Sequence, residues 1–169
     1  FELEVQNALT DRLSTNAAIT YTDAYYPEDC APGGFDPSNP VNRLCGFKLT
    51  NAPEWVGLLG LTWEDQLPNG MGYFLTGNMR TESERRTSTQ AVDDTGVPLE
   101  DDWQAENTKL NLRAGISSAD ERWTFEVWGN NVFDESTKAV TFSIPLRGPA
   151  RGVYLQEPAT YGVTLRTRF

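Results

Sequence analysis

The chain has 169 residues, a formal net charge of −10 and no histidine. The acidic balance argues against general affinity for nucleic acid or anionic headgroups, both of which need a basic surface. Without histidine there is no Ser-His-Asp or Cys-His nucleophile and there are few routes to a zinc site, so the sequence reads as a non-enzyme that needs no cofactor.

The chain opens on Phe1, with no Met and no charged-then-apolar leader, which reads as a cut in a longer chain. No run approaches the ~18 apolar residues of a membrane-spanning helix. Period-two alternation runs down the sequence instead, and it predicts strands. In the first, Phe1, Leu3, Val5 and Leu9 share a face, with Asn7 the exception, against Glu2, Glu4, Gln6 and Thr10. Leu13, Ala17, Ile19 and Tyr21 then oppose Asn16, Thr20 and Thr22. A Pro-, Gly- and Asn-rich stretch follows and holds Cys30 and Cys45. In an exported protein two cysteines in one loop read as a disulfide, and in a cytosolic one as free thiols. Closing a loop of about fifteen residues contributes roughly 3 kcal/mol in the chain-entropy model.

Next, Trp55, Leu59, Leu61 and Trp63 oppose Glu54, Thr62 and Glu64, and after Pro68-Asn69-Gly70 the residues Met71, Tyr73, Leu75 and Met79 oppose Thr76, Asn78 and Arg80. Leu110, Leu112, Ala114 and Ile116 alternate with Lys109, Asn111, Arg113 and Ser117. Trp123, Phe125 and Val127 alternate with Thr124, Glu126 and the less polar Trp128. The last strand is the cleanest, with Tyr161, Val163, Leu165 and Phe169 on one face and Thr160, Thr164, Arg166 and Arg168 on the other.

That gives about seven strands, most longer than the ~5–6 residues usual in soluble sheets and close to the ~9–11 that a tilted membrane crossing requires. Connections alternate in length. Short turns fall near Thr10–Ser14, Gln66–Gly70 and Ser118–Arg122, and long polar loops over Pro27–Pro53, Glu82–Asp102 and about Glu135–Pro158. Outer-membrane barrels sort their connections this way. Trp55 and Trp63 lie eight residues apart on one face, roughly 20 Å along the membrane normal at the usual rise and tilt. Tyr161 and Phe169 repeat the spacing, so all four are candidates for the two aromatic girdles of a barrel. The expected fold is all-β: the C-terminal segment of an antiparallel up-and-down transmembrane β-barrel.

Three segments carry a family resemblance. The tail Pro158-Ala-Thr-Tyr161-Gly-Val-Thr-Leu-Arg-Thr-Arg-Phe169 resembles the terminal strand of TonB-dependent receptors, which ends in an aromatic residue. Trp128-Gly-Asn-Asn-Val-Phe133-Asp-Glu is similar to that family's Gly-x-Asn-Leu-Phe-Asp stretch, with Val132 in place of the usual Leu. Asn51-Ala-Pro53-Glu-Trp55 is similar to its Asn-Ala-Pro motif. The three motifs cover the chain from about Asn51 onward, and the first fifty residues fit by pattern alone. The resemblance implies a bacterial outer-membrane importer of a scarce nutrient, a ferric siderophore by default, in a large barrel with a plugged lumen. It implies as partners the rest of the barrel and its plug, the TonB complex acting through an N-terminal region, and outer-membrane lipid with lipopolysaccharide. The 169 residues are then one stretch of barrel wall, with the plug outside them. Because unsatisfied backbone groups in hydrocarbon cost several kcal/mol each, the first and last strands are expected to pair with strands absent here.

The long loops are where a ligand would be met. Arg85 and Arg86 in the second loop, and Arg147 and Arg151 in the third, are candidate contacts for an anionic chelate; the alternative is surface charge or contact with lipopolysaccharide. Asp93, Asp94, Asp101 and Asp102 are candidate oxygen ligands for calcium, and the alternative is a solvated loop. Two rival functions stay open: a non-transport barrel such as an adhesin or barrel enzyme, and a soluble β-sandwich binding module.

Overall fold

The computed structural model describes residues 1–30, 36, 39, 42–93, 95–147 and 150–168. Eleven strands follow in chain order: β1 (Glu2–Ala8), β2 (Leu13–Tyr21), β3 (Trp55–Gln66), β4 (Gly72–Glu82), β5 (Arg85–Arg86), β6 (Trp103–Gln104), β7 (Asn107–Ser117), β8 (Trp123–Asn130), β9 (Lys138–Ser143), β10 (Arg151–Leu155) and β11 (Thr160–Thr167). Among the described residues the helical content is one 3₁₀ turn, Glu100–Asp102.

Seven strands form a single antiparallel sheet in the order β1-β2-β3-β4-β7-β8-β11, each beside the next one in chain order once the loop strands are set aside. Strands β3, β4 and β7 reach 12, 11 and 11 residues, the length expected of a tilted crossing. Short turns Leu9–Arg12, Leu67–Met71 and Ser118–Arg122 close one end, and all three long loops leave the other.

Register puts the two chemistries on opposite faces, because directly paired residues of antiparallel strands point the same way. Leu13, Trp63, Leu75, Ala114, Val127 and Val163 form one row, and Val5, Ala17, Leu59, Met79 and Leu110 another. Among the described residues nothing packs on this face. Leu61, Leu112 and Leu165 are 43%, 41% and 66% exposed, and among the described residues the fully buried apolar side chains are Ala91 and Val92. A soluble sandwich would press these rows against a second sheet, and none covers them.

The opposite face is polar. Gln6, Asn16, Gly60, Asn78 and Asn111 lie in one row across five strands. Below it, the carboxylate of buried Glu126 is held by Arg166 and lies 3.5 Å from Arg113. Two large side chains lie on this face because the neighbouring strand offers a glycine. A Cβ on Gly115 would come within 2.4 Å of the Phe74 ring, and one on Gly162 within 2.3 Å of Trp128. Trp128 Nε1 also donates to Thr164 Oγ1 at 3.2 Å, which gives the indole a partner on the polar side.

Two expectations change. The loop beginning at Glu135 contains a hairpin, β9 with β10, and the loop beginning at Glu82 contains the short β5–β6 pair. Nor is the second loop a solvated excursion: Arg85, Arg86, Thr87, Ser88 and Asp102 are among the most enclosed side chains of the protein. The sheet does not close on itself, since β1 and β11 each have a neighbour on one side only.

Candidate functional site

The three long loops converge into one cap at their end of the sheet. The first, between β2 and β3, is pinned by the Cys30–Cys45 disulfide, with 5.5 Å between the Cα atoms, and by a bridge between Tyr25 and Lys48. At its neck Lys48 Nζ donates to Glu54 Oε2 at 2.8 Å; this bond raises the lysine pKa and lowers that of the carboxyl. The second loop, between β4 and β7, lies against the first: Thr50 Oγ1 donates to the Ser88 carbonyl at 2.7 Å and the Asn51 amide to the Arg86 carbonyl at 2.8 Å. The third, between β8 and β11, presents β9 to the second. The Thr141 amide donates to the Thr87 carbonyl at 2.9 Å, the two threonine hydroxyls lie 2.9 Å apart, and the Lys138 amide donates to Gln104 Oε1 at 2.6 Å.

Three arginines sit inside this cap. Arg85, 4% exposed, donates from Nε to Glu82 Oε1 at 3.1 Å, from Nη1 to Asn51 Oδ1 at 2.6 Å and from Nη2 to the Lys138 carbonyl at 2.9 Å. Arg151 grips both oxygens of Asp102, with Nε to Oδ1 at 3.0 Å and Nη2 to Oδ2, and also donates to Ser88 Oγ and Gln90 Oε1. This bidentate fork is the geometry that arginine makes best with a carboxylate. Arg86 stacks over Phe47, 5.2 Å from the ring centroid, and donates to the Gln90 carbonyl; its Nε has no acceptor among the described residues. Burial lowers the Arg86 pKa, and the nearby charge of Asp102 opposes that shift.

The sequence candidates therefore fall in different places. Arg85, Arg86 and Arg151 come together, but they point inward and bond to protein. Arg147 is exposed, beside fully exposed Leu146. The acidic candidates among the described residues do not come together. Asp102 is taken by Arg151, Asp101 is exposed, and Asp93 accepts from Thr95 N, Thr95 Oγ1 and Val97 N at 2.7–2.9 Å, bonds that lower its pKa. Asp94 lies outside the described residues. Among those residues no cluster of three or more His, Cys, Asp or Glu is placed to hold a metal ion. Trp55, Trp63 and Tyr161 lie on the exposed apolar face, with Trp55 4.6 Å from Tyr21 between ring centroids; Phe169 lies outside the described residues.

Sequence reasoning missed two asparagines that hold the necks of the loops. Asn51, at φ +55°, accepts the Arg85 bond. Asn131, at φ +49°, donates from Nδ2 to the Glu135 and Glu157 carbonyls and accepts the Glu135 amide, tying the start of the third loop to its end. Asp134, at φ +53°, adds a bond from the Ala159 amide. Asn and Asp tolerate this left-handed backbone better than other side chains. The signal was present: these residues lie in the Asn-Ala-Pro and Gly-Asn-Asn-Val-Phe-Asp segments.

No family model and no curated protein sequence matches the chain. Its fold is similar to solved structures. The ferric yersiniabactin uptake receptor FyuA from Yersinia pestis aligns over 99% of this chain with a TM-score of 0.72 and 14% identity. The ferric preacinetobactin receptor BauA from Acinetobacter baumannii aligns over 97% with a TM-score of 0.48 and 14% identity. The chain spans 23% of the length of FyuA and 35% of that of BauA. At that identity the likeness to FyuA is one of fold alone, and the fold is a stretch of antiparallel β-barrel wall: seven strands with short turns at one end and a loop cap at the other.

Proposed function

We propose that this chain is part of the wall and the extracellular loop cap of a bacterial outer-membrane receptor that actively imports a scarce nutrient, a ferric siderophore by default. One observation carries the reading: a continuous apolar face left exposed on long strands, backed by a charged and amide-bearing face. Hydrocarbon outside and an aqueous interior satisfy both faces at once, whereas water on both sides would leave the apolar rows solvated. On this placement Trp55 and Tyr161 sit in the aromatic belt near the cap, and Trp63 in the belt near the turns. The ligand class is carried over from FyuA, whose fold it shares and which takes up ferric yersiniabactin.

The same reading supplies partners. Unpaired backbone groups along β1 and β11 cost several kcal/mol each in hydrocarbon, so both edges meet further strands of the same barrel. A plug against the polar face, the TonB complex, and lipopolysaccharide around the cap complete the set. The protein does no covalent chemistry in this account. Deleting the gene for the full-length protein and measuring uptake of iron-labelled chelates tests it. Loss of uptake of at least one ferric chelate, restored by the wild-type gene, is expected. Unchanged uptake across a chelate panel, or recovery of the full-length protein in the soluble fraction without detergent, would refute the reading.

A further inference from the structure

We propose that the three long loops are one mechanical unit tied through Arg85 and Arg151, so that an event at any one loop is felt by the other two. This concerns the cap itself and stands whatever the cap captures. Arg85 reaches all three loops with one side chain: it projects from the second, holds Asn51 of the first through Nη1, and holds the Lys138 carbonyl of the third through Nη2. Its Nε is anchored on Glu82 at the rim of the wall, and that carboxylate is fixed in turn by Asn107 Nδ2 at 3.0 Å. Arg151 repeats the device between the third loop and the second, through Asp102, Ser88 and Gln90. From Asp102 the ties lead back into the third loop, since the Thr87 amide donates to the Asp102 carbonyl and Thr87 Oγ1 meets Thr141.

The groups at the centre of these ties are buried, and that is what couples the loops. Three loops joined by exposed polar contacts would exchange those contacts for water one at a time. Here Arg85 and Asp102 are 4% and 1% exposed, and pulling one loop away strands a buried guanidinium or carboxylate. Opening one loop therefore removes the partners that the next loop needs, and the cap opens as a whole or not at all.

The sharpest test uses ties that do not touch the loop being watched. Arg151→Lys keeps the charge beside Asp102 but loses the fork, and the hydrogen bonds of Arg151 among the described residues go to the second loop and to its own. Hydrogen exchange on the full-length receptor should then show amides at 47–52 of the first loop exchanging about tenfold faster, the factor that corresponds to roughly one lost hydrogen bond of local stability. The reverse test is Asn51→Gly, which suits the positive φ and removes only the side chain. It should speed exchange at 137–142 of the third loop, whereas the hydrogen bonds of Asn51 go to the second. Unchanged exchange in β3, β4 and β7 shows that each variant remains folded. If faster exchange stays within the second and third loops for Arg151→Lys, or within the first and second for Asn51→Gly, the loops are independent and the proposal fails. No change in either variant also overturns it.

Discussion

The wall and the cap both enclose polar side chains, but they are held together in different ways. In the wall the apolar side chains are outside and the enclosed ones are polar, like Glu126 between two arginines. In the cap, which stands beyond the sheet, the most enclosed side chains are Thr87, Thr137, Asp102 and Ser88, with Arg85 and Arg86 close behind. The wall needs no apolar core, because its backbone bonds form a continuous ladder and, on the proposed placement, lipid takes the role of the core. The cap has no such surroundings, and among the described residues the apolar side chains it buries are Ala91 and Val92. It is held by hydrogen bonds between enclosed polar groups, and those are worth little when complete and cost much when half is removed. Wall stability should therefore respond to which face a residue lies on, and cap stability to whether a polar pair stays whole.

The largest effect is expected from Asp102→Asn. It keeps the shape and leaves Arg151, whose side chain is 13% exposed, without its counter-charge. Breaking one half of a buried pair costs about 3–5 kcal/mol. Exchange protection at Thr87 and Thr141 in the full-length protein should fall to that extent while β4 and β7 keep theirs. A variant with wild-type protection in the cap would mean that the pair is not what holds it.

The wall makes the converse prediction, somewhat smaller. Leu112→Arg, in the row with Leu61 and Gly77, puts a charge on the apolar face at mid-strand. Near the bilayer midplane this costs about 2–4 kcal/mol. Thr76→Arg lies on the other face beside Arg113 and Thr62, where water is present on the same placement, and should cost far less. Folding titrations into lipid vesicles compare the two. Equal costs would erase the distinction between the faces and, with it, the membrane assignment.

The same contrast explains what could be read from the sequence. The wall was legible because period-two alternation is local: Leu61 and Thr62 declare their faces without knowing their partners, and register only aligns what alternation has already sorted. The strand ends were legible because Pro68-Asn69-Gly70 and the other turns interrupt the pattern. The cap was not. The partners of Arg85 on the other two loops lie 34 and 53 residues away, and those of Arg151 that lie outside its own loop are 49, 61 and 63 away. No window on the sequence contains them together. Arginines in a polar loop looked like hands held out to a ligand, and nothing local said that they clasp their own chain. The strands β9 and β10 were hidden for a related reason: Gly148 and Pro149 between them lie in a stretch whose polar and apolar residues do not alternate for long.

The smallest predicted effect separates the outer edge of the cap from everything beneath it. Asp93 accepts three hydrogen bonds from its own turn, from Thr95 Oγ1, Val97 N and Thr95 N, and its pKa is lowered in the folded state. A carboxyl with a depressed folded pKa contributes stability that is present above its unfolded value of about 3.9 and is lost as pH falls through the lower folded value. The group is exposed, so water screens most of the effect, and it should remain local to this turn. Amide protection at Val97, corrected for intrinsic exchange, is expected to hold at neutral pH and decline only below about pH 4. Asp93→Asn keeps an acceptor oxygen but has no charge to lose, so its protection should be lower at neutral pH and flat across that range. Protection at Thr87 and at Leu112 should not follow the titration. A decline at Val97 beginning near pH 6 would mean that some other group controls the turn, and a simultaneous loss at Thr87 would mean that this turn belongs to the arginine-tied unit rather than lying outside it.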